Sequence, residues 1–187
     1  MNVISKEKVF DKFFAVEEIK LQFDDNDKPI TRYYVDKVRG AGILLINTDT
    51  NKIVLAKQFR VPLIDKDINE LIEIPAGVVD KGENPEVCII REVLEETGYK
   101  LDKAKQFYSF YTSPGYNNEE VILFYSEVNN KSKKGKGGGL ESEQEKIEIL
   151  ELSPKECFEM MDKGEIIDAK TLIALLWFRN SKSAIDN

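Results

Sequence analysis

A chain of 187 residues, 42% hydrophobic and 33% charged, has room for one well-buried domain with an extra arm, and too little for two ordinary domains. Its net charge of −7 makes it a poor generic binder of nucleic acid, although a divalent cation could still bring a phosphate ligand to it. The absence of histidine excludes Ser-His-Asp triads, Cys-His dyads and histidine-ligated zinc or iron, and leaves acid–base work to Asp, Glu, Lys, Tyr or Cys.

Any bound metal must therefore be held largely by oxygen, which selects magnesium, calcium or manganese. Cys88 and Cys157 lie far apart, have no metal-type spacing and read as small buried hydrophobes. No apolar run approaches membrane-spanning length, and Met1 to Lys8 holds no apolar stretch after a basic start. The expectation is a cytoplasmic protein without membrane contact.

In chain order, Phe13 to Phe23 predicts a strand, Asp24 to Pro29 a turn and Ile30 to Val38 a second strand, together an N-terminal hairpin. Gly40 to Asn47 and Lys52 to Phe59 are apolar, β-branched runs joined by Thr48-Asp49-Thr50-Asn51, and predict a central hairpin. Leu71 to Ile74 predicts a short strand that stops at Pro75-Ala76-Gly77. Asn84 is a good helix N-cap, Pro85 fits the first helical position, and Gly98 suits the left-handed stop. Between them Val87, Ile90 and Leu94 recur at helical spacing and are expected to face the core.

Gln106 to Thr112 and Val121 to Glu127 predict strands. Asn129 to Gly139, with four lysines and four glycines, predicts a mobile, solvated loop and lacks the spacing of a Walker-type phosphate loop. Lys146 to Leu152 predicts another strand. Ser153 to Lys163 and Asp168 to Arg179 predict helices, with Ser153 and Asp168 as N-caps. Strands come first, one helix is inserted mid-sheet, and helices close the chain. The fold class is α+β, a mixed sheet with helices on its faces.

The chemistry concentrates between Gly77 and Tyr99, GVVDKGENPEVCIIREVLEETGY. Glu92 and Glu96, four apart, share a helix face, with Glu95 alongside and Glu83 just before the helix. Such like charges repel by a few tenths of a kcal/mol per pair, roughly, unless solvent or a divalent cation offsets them. Arg91, four before Glu95, could orient it. Taken alone, an acidic helix face is usually a solvated face.

The whole stretch is more specific. Gly77, Glu83, Arg91, Glu92, Glu95, Glu96 and Gly98, with aliphatic Val93, reproduce the Nudix box: Gly, five residues, Glu, seven residues, Arg-Glu-aliphatic-any-Glu-Glu-any-Gly-aliphatic. A chance match is about one in 10⁸ per starting point, taking average composition. The one departure is Tyr99, where the family usually has an aliphatic residue; it should affect packing rather than catalysis. The chain thus resembles the Nudix hydrolase family.

Gln58-Phe59-Arg60, Glu73 to Gly77, Ser113-Pro114-Gly115, Gly137-Gly138-Gly139 with acidic Glu141 to Glu148, and Gly164 to Thr171 resemble the branch of ADP-ribose and GDP-mannose pyrophosphatases. The resemblance spans about Arg39 to Phe178. It implies a Nudix fold, a mixed β-sheet sandwiched between helices. Residues 1–38 would form an antiparallel β arm for dimerisation, and residues 39–187 the hydrolase domain.

It also implies roles. Glu92 and Glu96 would be the main ligands of Mg²⁺ or Mn²⁺, joined by the backbone carbonyl of Ala76. Glu95 would ligate a second ion or fix a water, Glu83 would be an outer carboxylate, and Arg91 would orient the helix carboxylates. The base would come from the late acidic loop. Glu143 is assigned to it, with Glu145 as a supporting or ligand carboxylate and Glu141 close by. Arg60 and Arg39 would contact phosphate or ribose. Pro114 and Glu119 would lie on the substrate side, with Glu120 open to misregistration with Glu119.

The first functional expectation is hydrolysis of ADP-ribose to AMP and ribose 5-phosphate, favoured by Ser113-Pro114-Gly115. The second is a nucleotide-sugar pyrophosphatase acting on GDP-mannose or UDP-glucose, which Pro85 to Ile89, the triple glycine and the closing helices resemble at least as much. A non-catalytic nucleotide-sugar sensor is the third, opposed by the intact carboxylates. A small nucleoside diphosphate substrate and a homodimer are the expected partners.

Overall fold

The computed structural model describes residues 1–12, 14–24, 27–68, 70–140 and 146–183. Its strands are β1 (Asn2–Asp11), β2 (Ala15–Gln22), β3 (Ile30–Asp36), β4 (Gly40–Asn47), β5 (Lys52–Gln58), β6 (Leu71–Glu73), β7 (Ala76–Val78), β8 (Lys105–Tyr111), β9 (Glu120–Val128) and β10 (Ile147–Leu152). The α-helices are α1 (Pro85–Thr97), α2 (Pro154–Asp162) and α3 (Ala169–Ser183).

The main sheet has the order β10-β5-β4-β9-β8, with β6 paired to β5 and β7 to β4. It is mixed: β4 and β9 run parallel, and the other pairs are antiparallel. Central β4 reads Gly-Ala-Gly-Ile-Leu-Leu-Ile-Asn, apolar without a break, because both its faces are covered. Strand alternation sends Ala41, Ile43 and Leu45 to one side, where they meet Cys88, Ile89 and Val93 of α1. Leu44 and Ile46 go to the other, where they meet Cys157 of α2 and Ala174, Leu175 and Phe178 of α3. Each fully buried Leu, Ile or Val contributes roughly 1.5–3 kcal/mol relative to exposure, so two such layers hold the helices to the sheet. This is the expected sheet between helices.

Each helix begins where the sequence places it. The Asn84 side chain accepts from the Glu86 amide at 2.8 Å, with Pro85 in the first turn, and Gly98 ends α1 at φ +73°. Ser153 and Glu156 form a capping box at α2. Asp168 accepts from the Thr171 amide at 3.0 Å and caps α3.

Besides β7, which forms at Ala76–Val78 where the strand was expected to stop because β4 offers it a partner, three features depart from the sequence expectations. The buried face of α1 is Cys88, Ile89, Val93 and Thr97, while Val87 and Leu94 are exposed and Ile90 is half-buried. Both stripes have helical spacing; the sheet selects the one that leaves Glu96 facing inward. Residues 129–139 are a bonded cap on the end of α1. Gly138 donates to the Glu96 carbonyl at 2.7 Å, Gly139 to Glu95 at 3.3 Å, and Lys134 to Gly98 at 2.8 Å. Gly137, Gly138 and Gly139 all have positive φ, which lets the backbone lie against the helix terminus, and a Cβ at Gly137 would stand 2.5 Å from the Glu96 carbonyl oxygen. Third, β1 precedes the predicted hairpin and completes a separate sheet, β1-β2-β3. Every residue of β1 is exposed, so no one-sided pattern announces it.

Tyr99, the departure from the family pattern, is buried. Its hydroxyl donates to Glu151 of β10 at 2.7 Å and accepts from Asn47 of β4 at 3.0 Å, with the Lys133 ammonium 4.5 Å from the ring centroid. Burial, then the Glu151 carboxylate, push its pKa up to about 12, so it stays protonated and serves as a tie. Tyr99→Phe leaves both partners short of a bond and should cost about 1–2 kcal/mol in urea denaturation. An unshifted midpoint would show that the hydroxyl ties nothing together.

Candidate active site

The site is assembled by α1 lying along the short strand β7. Ala76, at the start of β7, donates its amide to Glu96 at 3.1 Å, and the Glu96 side chain is buried at 2% exposure. Next to it, Gly77 passes so close to Glu92 that an added Cβ would stand 2.0 Å from the Glu92 carboxyl carbon. Glycine is needed here for approach, since any larger residue would occupy the place of the carboxylate.

Arg91 gathers three carboxylates. Its guanidinium lies 2.8 Å from Glu92, 3.1 Å from Glu95 and 3.6 Å from Glu83. Glu83 also accepts from the Asp80 amide at 3.1 Å; that bond, helped by Arg91, holds its pKa below the ordinary carboxylate range. Cys88 lies behind the cluster, and burial, then the charges of Glu83 and Glu92, push its thiol up to about 12. It is a thiol at neutral pH and no nucleophile.

The opposite wall is a buried charge network. Glu73, 1% exposed at the end of β6, accepts two parallel bonds from Arg60, at 2.8 and 2.9 Å, and a third from Lys170 of α3. Lys170 also pairs with Asp168 at 3.0 Å. Burial opposes a charge on Glu73, but the two cations outweigh it and its pKa lies below the ordinary value. The Thr171 hydroxyl accepts from the Ile74 amide at 2.8 Å and donates to Asp168 at 2.7 Å. The first turn of α3 thus grips the segment that leads into Ala76.

The structure therefore brings together Ala76, Glu83, Arg91, Glu92, Glu95 and Glu96. Arg60 stands near them, close enough for Glu96 to help raise its pKa after the larger effects of Glu73 and burial. Pro114 and Glu119 sit in the β8–β9 connection, where Thr112 donates to Glu119 at 3.0 Å and Lys37 lies 3.9 Å away. The end of β3 meets this connection, with the Val35 amide bonded to Tyr116 at 2.8 Å and the Lys37 amide to Asn118 at 2.8 Å. Arg39 is exposed, and its carbonyl accepts from Val79 at 2.9 Å. Glu143 and Glu145 lie outside the described residues; the chain on either side of them, Gly138 and Ile147, is tied at 3.2 Å beside the end of α1. A cavity of about 590 Å³ opens there between Glu70, Gly137–Gly139 and Lys146–Glu148.

The network through Glu73, Asp168, Lys170 and Thr171 was not assigned from sequence. Its one local signal is an acidic residue inside the apolar strand Leu-Ile-Glu-Ile; its partner stands 97 residues away. Among the described residues, no three acidic side chains converge into a ready-made cation cage. The side chains are nonetheless of the right kind for a hard cation: Glu92 and Glu96 are carboxylates one helical turn apart, offering oxygen alone.

The pattern of the NUDIX domain matches residues 36–175. GDP-mannose pyrophosphatase of Escherichia coli (strain K12) is 36% identical over 182 residues, which is 94% of this chain and 94% of that protein. GDP-mannose pyrophosphatase of Cronobacter sakazakii (strain ATCC BAA-894) is 37% identical over 176 residues, 91% of each. A crystal structure of an ADP compounds hydrolase superposes with a TM-score of 0.80 over 98% of this chain and 94% of that one; at 16% identity this speaks for the fold alone.

Gly77→Ala forces the Glu92 carboxylate or β7 to move. It should weaken Mn²⁺ binding about 10- to 100-fold in calorimetry, the effect typical of a disturbed ligand support, while circular dichroism stays native. Undiminished Mn²⁺ affinity would overturn the expectation that Glu92 is a metal ligand.

Proposed function

We propose that this chain, which belongs to the NUDIX domain family and is a Nudix hydrolase, cleaves the diphosphate bond of a nucleoside diphosphate joined to a sugar. GDP-mannose is the substrate best supported, because relatives at 36% identity over 94% of the chain are GDP-mannose pyrophosphatases. The products would be GMP and mannose 1-phosphate. ADP-ribose stands second, on the Ser113-Pro114-Gly115 segment of the β8–β9 connection.

The observation that carries the reading is the packing of α1 on Ala76 and Gly77, which places Glu96 on the Ala76 amide beside three carboxylates gathered by Arg91. Nudix hydrolases generally use divalent metals such as Mg²⁺. In this chain Glu92, Glu96 and the Ala76 carbonyl would hold Mg²⁺ or Mn²⁺, with Glu95 and Glu145 as further ligands. When bound, such an ion neutralises phosphate oxygens and acidifies water. Glu83 and Arg91 keep the helix carboxylates oriented. Glu143 takes the proton from the water oxygen that attacks phosphorus, and the bond from that phosphorus to the bridging oxygen breaks. Arg60 grips phosphate oxygens with N–H groups that Glu73 leaves unused. Arg39, Pro114 and Glu119 border the nucleotide or sugar.

Turnover of GDP-mannose, ADP-ribose and UDP-glucose, with Mg²⁺ or Mn²⁺ and with chelator, tests this reading. The wild type should favour one of them. Chelator and Glu96→Gln should abolish turnover, and Glu143→Gln should lower kcat at least about 100-fold. No metal-dependent turnover on any of the three would sink the hydrolase assignment to these substrates. A Glu143→Gln enzyme near wild type would move the base elsewhere.

We further propose that residues 1–38 are a dimerisation arm on a hydrolase domain of residues 39–187. Val3, Ile4, Val9 and Phe10 stand exposed along β1, which is the edge strand of its sheet, and an exposed edge with apolar side chains is of the kind that pairs with another chain. Light scattering should give twice the chain mass of 21.4 kDa; a monomer at micromolar concentration would overturn it.

A further inference from the structure

Glu73 is the most deeply buried charged side chain on the wall facing the carboxylate helix, and its partners come from two distant parts of the chain. Arg60 follows β5 and gives it the Nε and one Nη2 hydrogen; Lys170 comes from the first turn of α3. Burying such a group is seldom explained by stability, because an apolar residue of similar size does as well or better. What a bidentate carboxylate does supply is direction: two parallel bonds fix the plane of a guanidinium and the side on which its other N–H groups lie.

Arg60 is built to use that direction. Its side chain is 41% exposed although Glu73 is 1% exposed, so one edge of the guanidinium is buried in the pair and the other meets solvent. Among the described residues, Nη1 donates to nothing. Glu73 in turn is not free to swing toward solvent with Arg60. Lys170 holds it from the second side, and Asp168 holds Lys170 at 3.0 Å. Asp168 also caps α3 and accepts from Thr171, whose hydroxyl binds the Ile74 amide. The orientation of Arg60 is thus referred through Glu73 to the same helix turn that fixes the strand leading to Ala76.

We propose that Glu73 is a positioning residue for substrate binding: held by Lys170, it aims the free edge of Arg60 at the diphosphate of the substrate. The inference rests on the hydrolase reading for its substrate, and on geometry alone for the coupling of Glu73 to Arg60. Arg60, Lys170, Glu73 and Asp168 together carry no net charge, so what Arg60 presents to the phosphate is the N–H donors of its free edge.

The test reads binding and turnover separately, in wild type, Glu73→Gln, Arg60→Gln and the double variant. Binding is the calorimetric Kd for inorganic pyrophosphate with Mg²⁺, which requires neither turnover nor knowledge of the base. Turnover is KM and kcat for the substrate preferred by the wild type. Each single variant should raise Kd and KM about 10-fold, the usual loss of a charge-assisted contact, while kcat falls less than about threefold. The double variant should be no worse than Arg60→Gln, because both changes remove the same contact. Lys170→Met should show the same pattern more weakly, and Lys170→Arg should restore it; these two variants decide the matter where Glu73→Gln does not fold. Additive effects, an unchanged pyrophosphate Kd, or a loss confined to kcat would overturn the proposal. A wild type that binds pyrophosphate but turns over none of the nucleotide sugars would count against the hydrolase reading, while the Kd series would still decide the role of Glu73.

Discussion

Four carboxylates within one loop and one helix repel each other, and the molecule is arranged around keeping them together. Arg91 offsets part of the repulsion by meeting Glu83, Glu92 and Glu95 at once. Glu96 is handled differently: it is buried and receives a backbone amide from Ala76. A carboxylate can stay inside only with such a partner, because an unpaired buried charge costs several kcal/mol, roughly. The helix must therefore lie hard against β7, and that contact is what requires glycine at position 77.

The remainder of the fold supports this contact from three sides. Below, Cys88, Ile89 and Val93 seat α1 on Ile43 and Leu45 of β4. At its C-terminal end, where carbonyls lack intrahelical donors, the glycine run donates to Glu95 and Glu96. On the far side of β6, the first turn of α3 holds Glu73 and Ile74. The carboxylate helix, the strand it packs on and the arginine opposite are thus fixed relative to one another. Such support matters, since an error of about 1 Å in a reacting group can cost 10²-fold in rate.

Much of this was legible because the signals are local. Asn84, Pro85 and Gly98 mark the ends of α1, and the recurring carboxylates and Arg91 declare their shared face by spacing alone. The unbroken apolar run of β4 and the later strands and capped helices read correctly for the same reason. The strand β1 was not legible. Its ten residues are all exposed, so burial within one chain imposes no alternation on it. Residues 129–139 misread as mobile because glycine is permissive before folding; here the same freedom lets the chain fit a helix end.

Sequence by itself determined the box, the absence of histidine chemistry, the ends of α1 and the hard-oxygen character of any metal site, because residue type and spacing within a few positions settle these. Only the tertiary structure decided which stripe of α1 is buried. Val87-Ile90-Leu94 and Ile89-Val93-Thr97 have equivalent helical spacing, and the choice falls to the stripe whose burial also admits Glu96 beside the Ala76 amide. It likewise decided that Arg60 meets Glu73, and Glu73 meets Lys170 97 residues on. Charges so far apart in the chain have no spacing rule to announce them. They become partners when the sheet closes and the first turn of α3 arrives beside β6.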